Sequence, residues 1–127
     1  MRPGREVDAE IAQKVMGYPV FVKKRGLFET TPLGDRPLRH YTKEIDSAWT
    51  VAEKMRVSLL PIENGSWFAI AGKKEGWASP ADFLKYLQTC DFANSGAAIA
   101  ETASEAVCLA ALRAIAHRVD ETPATIQ

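Results

Sequence analysis

Two histidines, His40 and His117, and two cysteines, Cys90 and Cys108, are the imidazoles and thiols of this sequence. Together they have the right chemistry for a zinc site. Tetrahedral structural sites, however, draw their ligands from close pairs such as C-x-x-C or H-x-x-x-H. Neither spacing is present, so no metal ligand is assigned. A nucleophile needs a base and an orienting group beside it. Cys90 with either histidine has the residue types but no supporting local context. Ser79 and Ser104 read instead as residues at the starts of helices. There is no G-x-x-x-x-G-K-[ST] and no G-x-G-x-x-G, so no loop to cradle phosphate. The carboxylate pairs Asp8/Glu10 and Glu44/Asp46 read as solvated helix faces. The expectation is a protein with no catalytic residue, no cofactor and no enzymatic activity.

The remaining candidates are for binding. Lys23, Lys24 and Arg25 sit at the tip of an expected hairpin, where cations can meet phosphates. Lys73 and Lys74 follow a second hairpin, and Arg36, Arg39 and His40 form a third basic group in a loop. The competing reading is that lysines simply keep exposed turns soluble. A formal net charge of zero favours that second reading, because it removes any global attraction for a polyanion. Residues 1–74 carry 13 Lys/Arg against 9 Asp/Glu and residues 75–127 carry 3 against 7, a modest asymmetry that a folded surface can intermix. Aromatic anchors are the alternative. Trp77, in a loop next to a short helix bearing Phe83 and Tyr86, is the best-placed contact tryptophan, although packing against the Phe83/Leu84 helix is the favoured reading for it. Trp67 reads as a sheet residue facing Ile62 across a hairpin. Trp49 lies at one edge of a helical stripe and reads as core or core edge.

These residues must be positioned by a small number of elements. Val7, Ile11 and Val15 recur at helical spacing, with Gly17 just beyond as a left-handed end. "YPVFVKKRGLFETTP" reads as a hairpin turning at Gly26, followed by a Pro/Gly loop, "LGDRPLRH". Thr42 is placed to cap a helix whose buried stripe is Ile45, Ala48, Ala52 and Met55. Asn64-Gly65 between apolar runs predicts a type I′ hairpin, in which both turn residues take positive φ. Ser79-Pro80 starts a short helix. "NSGAAIAE" reads as a last strand, and Thr102 with Glu105 has capping-box spacing for a broad apolar helix. The order gives an α+β protein, an α-β-α layered sandwich. Its mostly antiparallel sheet is built from two hairpins plus one strand, flanked by three main helices and one short one.

With 127 residues the chain suits one domain, residues 1–118, followed by a flexible tail at 119–127. The polar start "MRPGREVDAE" is not a signal peptide, and no run approaches the ~18 apolar residues of a membrane span. A cytoplasmic location follows, with reduced thiols and no Cys90–Cys108 disulfide. The strongly apolar last helix, with Val107, Cys108, Ala111, Leu112 and Ile115, is compatible with a homodimer.

Three stretches together resemble the phage ABA-sandwich domain family: Lys14-Val15-Met16-Gly17-Tyr18, Tyr41 through Lys54, and Ala106 through Leu112. The segments that carry them, residues 5–18, 41–55 and 101–115, cover roughly a third of the chain. The resemblance implies an α-β-α fold and phage or prophage origin, and implies no activity. Residues 74–94 look like an insertion relative to that family. The expected function is a small phage-encoded accessory protein that binds a protein partner, such as a host factor, in the host cytoplasm. The alternative is nucleic-acid binding through Lys23, Lys24, Arg25, Lys73 and Lys74, with a small-ligand site or an enzyme behind it.

Overall fold

The structure, a computed structural model, describes residues 4–71, 78–89 and 96–126; at 87, 89 and 117–126 it describes backbone alone. The first helix, α1 (Arg5–Glu10), runs into a π-helical turn, Ile11–Val15. It ends at Gly17, whose φ of +76° closes the helix in the left-handed region where a Cβ is penalised. The Tyr18 amide then reaches back to the Ala12 carbonyl at 2.7 Å, satisfying an end group that would otherwise be orphaned.

Three strands follow as an antiparallel meander: β1 (Val20–Lys23), β2 (Gly26–Thr31) and β3 (Gly34–Pro37). The third strand occupies the segment whose Pro and Gly content suggests a loop. Pro37 is tolerated because it ends an edge strand, where a missing N–H costs least. Gly34, at φ +123°, turns the chain into it. Side chains alternate across strands. Val20, Leu27 and Leu38 therefore pack on the core, while Phe21 and Phe28 share the opposite face.

Helix α2 (Ile45–Met55) leads into β4 (Val57–Pro61) and β5 (Trp67–Ala71). Helix α3 (Pro80–Thr89) connects to β6 (Ala97–Ala100), which pairs with β5 to complete a second antiparallel sheet. The final helix, α4 (Ala103–Ile126), packs on β5, β6 and α2, and the π turn rests on it. Its backbone is helical through residues 119–126, which the sequence suggests as a tail. Two of the three expected caps form: the Asp82 amide donates to Ser79 Oγ at 3.2 Å and the Glu105 amide to Thr102 Oγ1 at 3.2 Å, whereas Thr42 does not cap α2. The described residues thus hold four helices and two three-stranded antiparallel sheets, an α+β layered sandwich.

The core explains the alanine content. Ala69, Ala98 and Ala100 on the sheet meet Ala106 and Ala110 on α4, so helix and sheet approach closely. The larger residues Val7, Ile11, Leu38, Tyr41, Val51, Met55 and Val107 fill the space between α1, α2, α4 and the first sheet.

Three local expectations are corrected. The Asn64-Gly65 hairpin is a three-residue loop in which Gly65 alone has positive φ, +89°, following the 2.9 Å turn bond from its amide to the Ile62 carbonyl. The doubly left-handed turn falls on Lys24 and Arg25, at φ +48° and +67°. Helix α2 buries Ser47, Ala48, Val51, Ala52 and Met55, a face rotated by about 50° from the expected stripe at 100° per residue. Ile45 and Trp49 are consequently 54% exposed each, so Trp49 is not a core residue. The rotation is possible because the Arg39 guanidinium satisfies the buried Ser47 hydroxyl, Nε to Oγ at 2.9 Å.

Candidate functional site

The densest polar chemistry lies where residues 38–42 cross between the first sheet and α2. Asp8, on the first helical turn, is buried, against the expectation of a solvated face. Its Oδ1 accepts from both the amide and the hydroxyl of Thr42 at 2.9 Å, and its Oδ2 takes Arg5 Nη1 at 2.9 Å. Arg5 Nη2 also donates to the Leu38 carbonyl at 2.7 Å, and Nη1 lies 3.0 Å from His40 Nδ1. Thr42 thus serves Asp8, and the residue before α2, Glu44, offers no side-chain cap.

A second charge is buried in the first sheet. Glu29 is 0% exposed, directly across the ladder from Arg36. Its Oε2 accepts from Arg36 Nε at 2.6 Å, with Nη2 at the same distance. Tyr41 donates its hydroxyl to both carboxylate oxygens, at 2.9 and 3.1 Å. Burial, followed by the Glu29 carboxylate, pushes the Tyr41 phenol well above its ordinary value. The Arg36 guanidinium also lies 5.7 Å from the Tyr18 ring centroid, a cation–π distance.

These clusters could be mistaken for a site. Their geometry is that of staples: every oxygen of Asp8 and Glu29 has a donor inside the protein, which is what a buried charge requires. Arg36 and Arg39 are likewise committed, so the expected basic group at 36–40 is mostly structural. Cys108 is a free, buried thiol. Burial first, then the carboxylates of Asp8 and Glu105, push it up to about 12, leaving it protonated and unreactive at neutral pH. Glu29 and Asp8 were the residues that sequence reading missed. A charge at an inward position of "LFETT" was the available signal for Glu29.

The binding candidates fare differently. Lys23, Lys24 and Arg25 are exposed at the β1–β2 tip, and no hydrogen bond or ion pair among the described residues engages their side chains. Phe83 and Tyr86 are half-buried one turn apart on α3, beside a 60% exposed Leu84. Trp77, Lys73, Lys74, Cys90 and the His117 side chain lie outside the described residues. Trp67 is half-buried and registers with Pro61 and Ala100, one step from the expected Ile62. The apolar residues behind the dimer expectation, Val107, Cys108 and Ala111, are buried within one chain.

On the second sheet's face away from α4, Leu60, Phe68 and Ile99 register in one row across the three strands. Leu60 and Ile99 are 44% and 63% exposed. Among the described residues there is no cluster of three metal-ligating side chains and no helix long and apolar enough to cross a membrane.

The helices, two antiparallel sheets and layered core define an α+β layered sandwich. The chain belongs to the phage ABA sandwich domain family, whose model matches residues 9–112. A phage protein from Bacillus cereus ATCC 14579, seen in a 2.0 Å crystal structure, shares the fold with a TM-score of 0.59 at 23% identity, over 88% of this chain and 85% of that one. No curated protein matches the sequence.

Proposed function

We propose that this chain is a small phage- or prophage-encoded accessory protein, acting in the host cytoplasm by binding a protein partner and not by catalysis. The observation that carries the reading is the commitment of its buried reactive groups. Asp8, Glu29, Tyr41 and Cys108 are either fully bonded within the fold or held in an unreactive state. Among the described residues this favours surface contact as the means of action. Support comes from apolar side chains held at the surface by rigid elements: Leu60 and Ile99 on the second sheet, and Leu84 beside Phe83 and Tyr86 on α3. Clustered apolar surface of this kind marks interaction sites more often than isolated residues do. Trp77 belongs to the same stretch of sequence as α3 and is the anchor to test first.

The test is a pull-down from host lysate with tagged protein, followed by variants of the recovered complex. Wild type is expected to retain a defined partner, and Trp77→Ala, Ile99→Lys or deletion of residues 75–92 to release it. If wild type recovers nothing specific, or if none of these changes alters recovery or phenotype, the reading fails.

A further inference from the structure

The solvent face of the first sheet combines two features that do not depend on the protein-partner reading. Phe21 and Phe28 are cross-strand partners, and their rings stack at a centroid distance of 5.7 Å and an interplanar angle of 20°. Phe28 registers in turn with Pro37, so the row Phe21–Phe28–Pro37 crosses all three strands, with both phenylalanines half-buried. Gly26 leaves room for the row, because a Cβ there would press to 3.3 Å from the Phe28 ring. No described helix lies across this face, the core being met by Val20, Leu27 and Leu38 on the other side. The second feature is charge. Lys23 lies two residues from Phe21 and so on the same face, and Lys24 and Arg25 form the adjoining turn. Whereas Arg5, Arg36, Arg39 and Arg113 are bound to acceptors of the fold, these three cations are uncommitted.

We propose that this face binds single-stranded nucleic acid, with bases stacking on the Phe21–Phe28 pair and phosphates held by Lys23, Lys24 and Arg25. A flat aromatic surface beside a cationic groove or tip is the arrangement that takes single strands without sequence preference, since every base has a π face. Residues 19–39 carry five Lys/Arg against two carboxylates, and Arg36 neutralises one of those, so the arm is cationic although the chain is neutral. The turn chemistry agrees. Lys24 and Arg25 occupy left-handed backbone that Asn and Gly adopt without strain, so their presence is not explained by stability.

That strain supplies a clean test. Binding of a fluorescein-labelled oligothymidylate 20-mer to the full chain is followed by anisotropy at low and rising salt. Wild type should bind, with affinity falling by roughly 0.7 log units per log unit of salt for each phosphate contacted. The double change Lys24→Asn/Arg25→Gly should lower that slope by about 1.4 while raising the melting temperature. Phe21→Leu keeps apolar volume and removes the ring; it should weaken binding roughly fivefold or more with the salt slope retained. An oligouridylate arm distinguishes RNA from DNA as the natural strand. The proposal is overturned if no binding occurs at low salt. It is also overturned if heparin or duplex DNA of equal length binds as tightly as the oligomer, or if Phe21→Leu folds and binds like wild type. Loss of a protein partner in the Trp77 or Ile99 variants would leave these results unchanged, so the two readings fail separately.

Discussion

Asp8 shows how much a single buried charge organises. It ties α1 to the chain entering α2 through the two donors of Thr42, and takes a third from Arg5 of its own helix. Asp8→Ala leaves the buried amide and hydroxyl of Thr42 without their acceptor, while Arg5 keeps the Leu38 carbonyl, and should cost about 1–3 kcal/mol, the range for orphaned buried donors. The urea midpoint reads this, with the slope unchanged if the loss is purely one of stability. Asp8→Asn, which keeps an acceptor for Thr42, should lose less. The Tyr41–Glu29 contact carries a pH signature. Burial and Glu29 raise the phenol above its usual ~10, so the fold favours the protonated form. Its contribution is complete below pH ~10 and is lost as pH climbs through the raised value, at up to about 1.4 kcal/mol per unit. Tyr41→Phe should therefore cost about 1–3 kcal/mol at pH 7 by leaving Glu29 short of a donor. Its melting temperature should then fall less steeply than wild type above pH 10; parallel alkaline limbs would contradict the assignment.

At the scale of elements, local chemistry and tertiary demand can be seen competing. The caps at Ser79 and Thr102 and the end at Gly17 form as the sequence indicates, because each closes through a bond between residues no more than six apart. Helix α2 does not follow its own apolar pattern. Its face is chosen by what α4 can accept: Ala48 and Ala52 allow close approach, and the indole of Trp49 is turned outward. The short strand β6 depends on an even tighter fit. A Cβ on Gly96 would stand 2.7 Å from the Ala114 Cβ and 3.1 Å from the Ala71 Cβ. Gly96→Ala should push α4 off the sheet and destabilise by about 1–3 kcal/mol, the usual cost of overpacking. A thermal melt equal to wild type would show that the helix can shift without penalty.

The whole molecule is unevenly anchored. The second sheet is packed against α4, whereas the first sheet reaches the core through Val20, Leu27, Leu38 and the Glu29–Tyr41 contact. Stability should be distributed accordingly, since opening energies follow local packing. Native-state hydrogen exchange is expected to show the amides of β1 and β2 exchanging through a lower-energy opening than those of β5 and the first turns of α4. Equal protection in both sheets would mean that the buried Glu29 pair couples the arm to global unfolding.

The sequence by itself determined the α+β class and the caps at Ser79 and Thr102, which rest on periodicity and on residues that act on near neighbours, and its three motif stretches pointed to the family. The tertiary structure decided which face of α2 is buried, which of two hairpins takes the strained turn, and that "GDRP" pairs as a strand. It also decided that Asp8 and Glu29 are internal, and that Phe21 and Phe28 stack beside free cations. Each of those depends on partners distant in the chain. A single side chain cannot signal whether the group that will satisfy it, or cover it, arrives from thirty residues away.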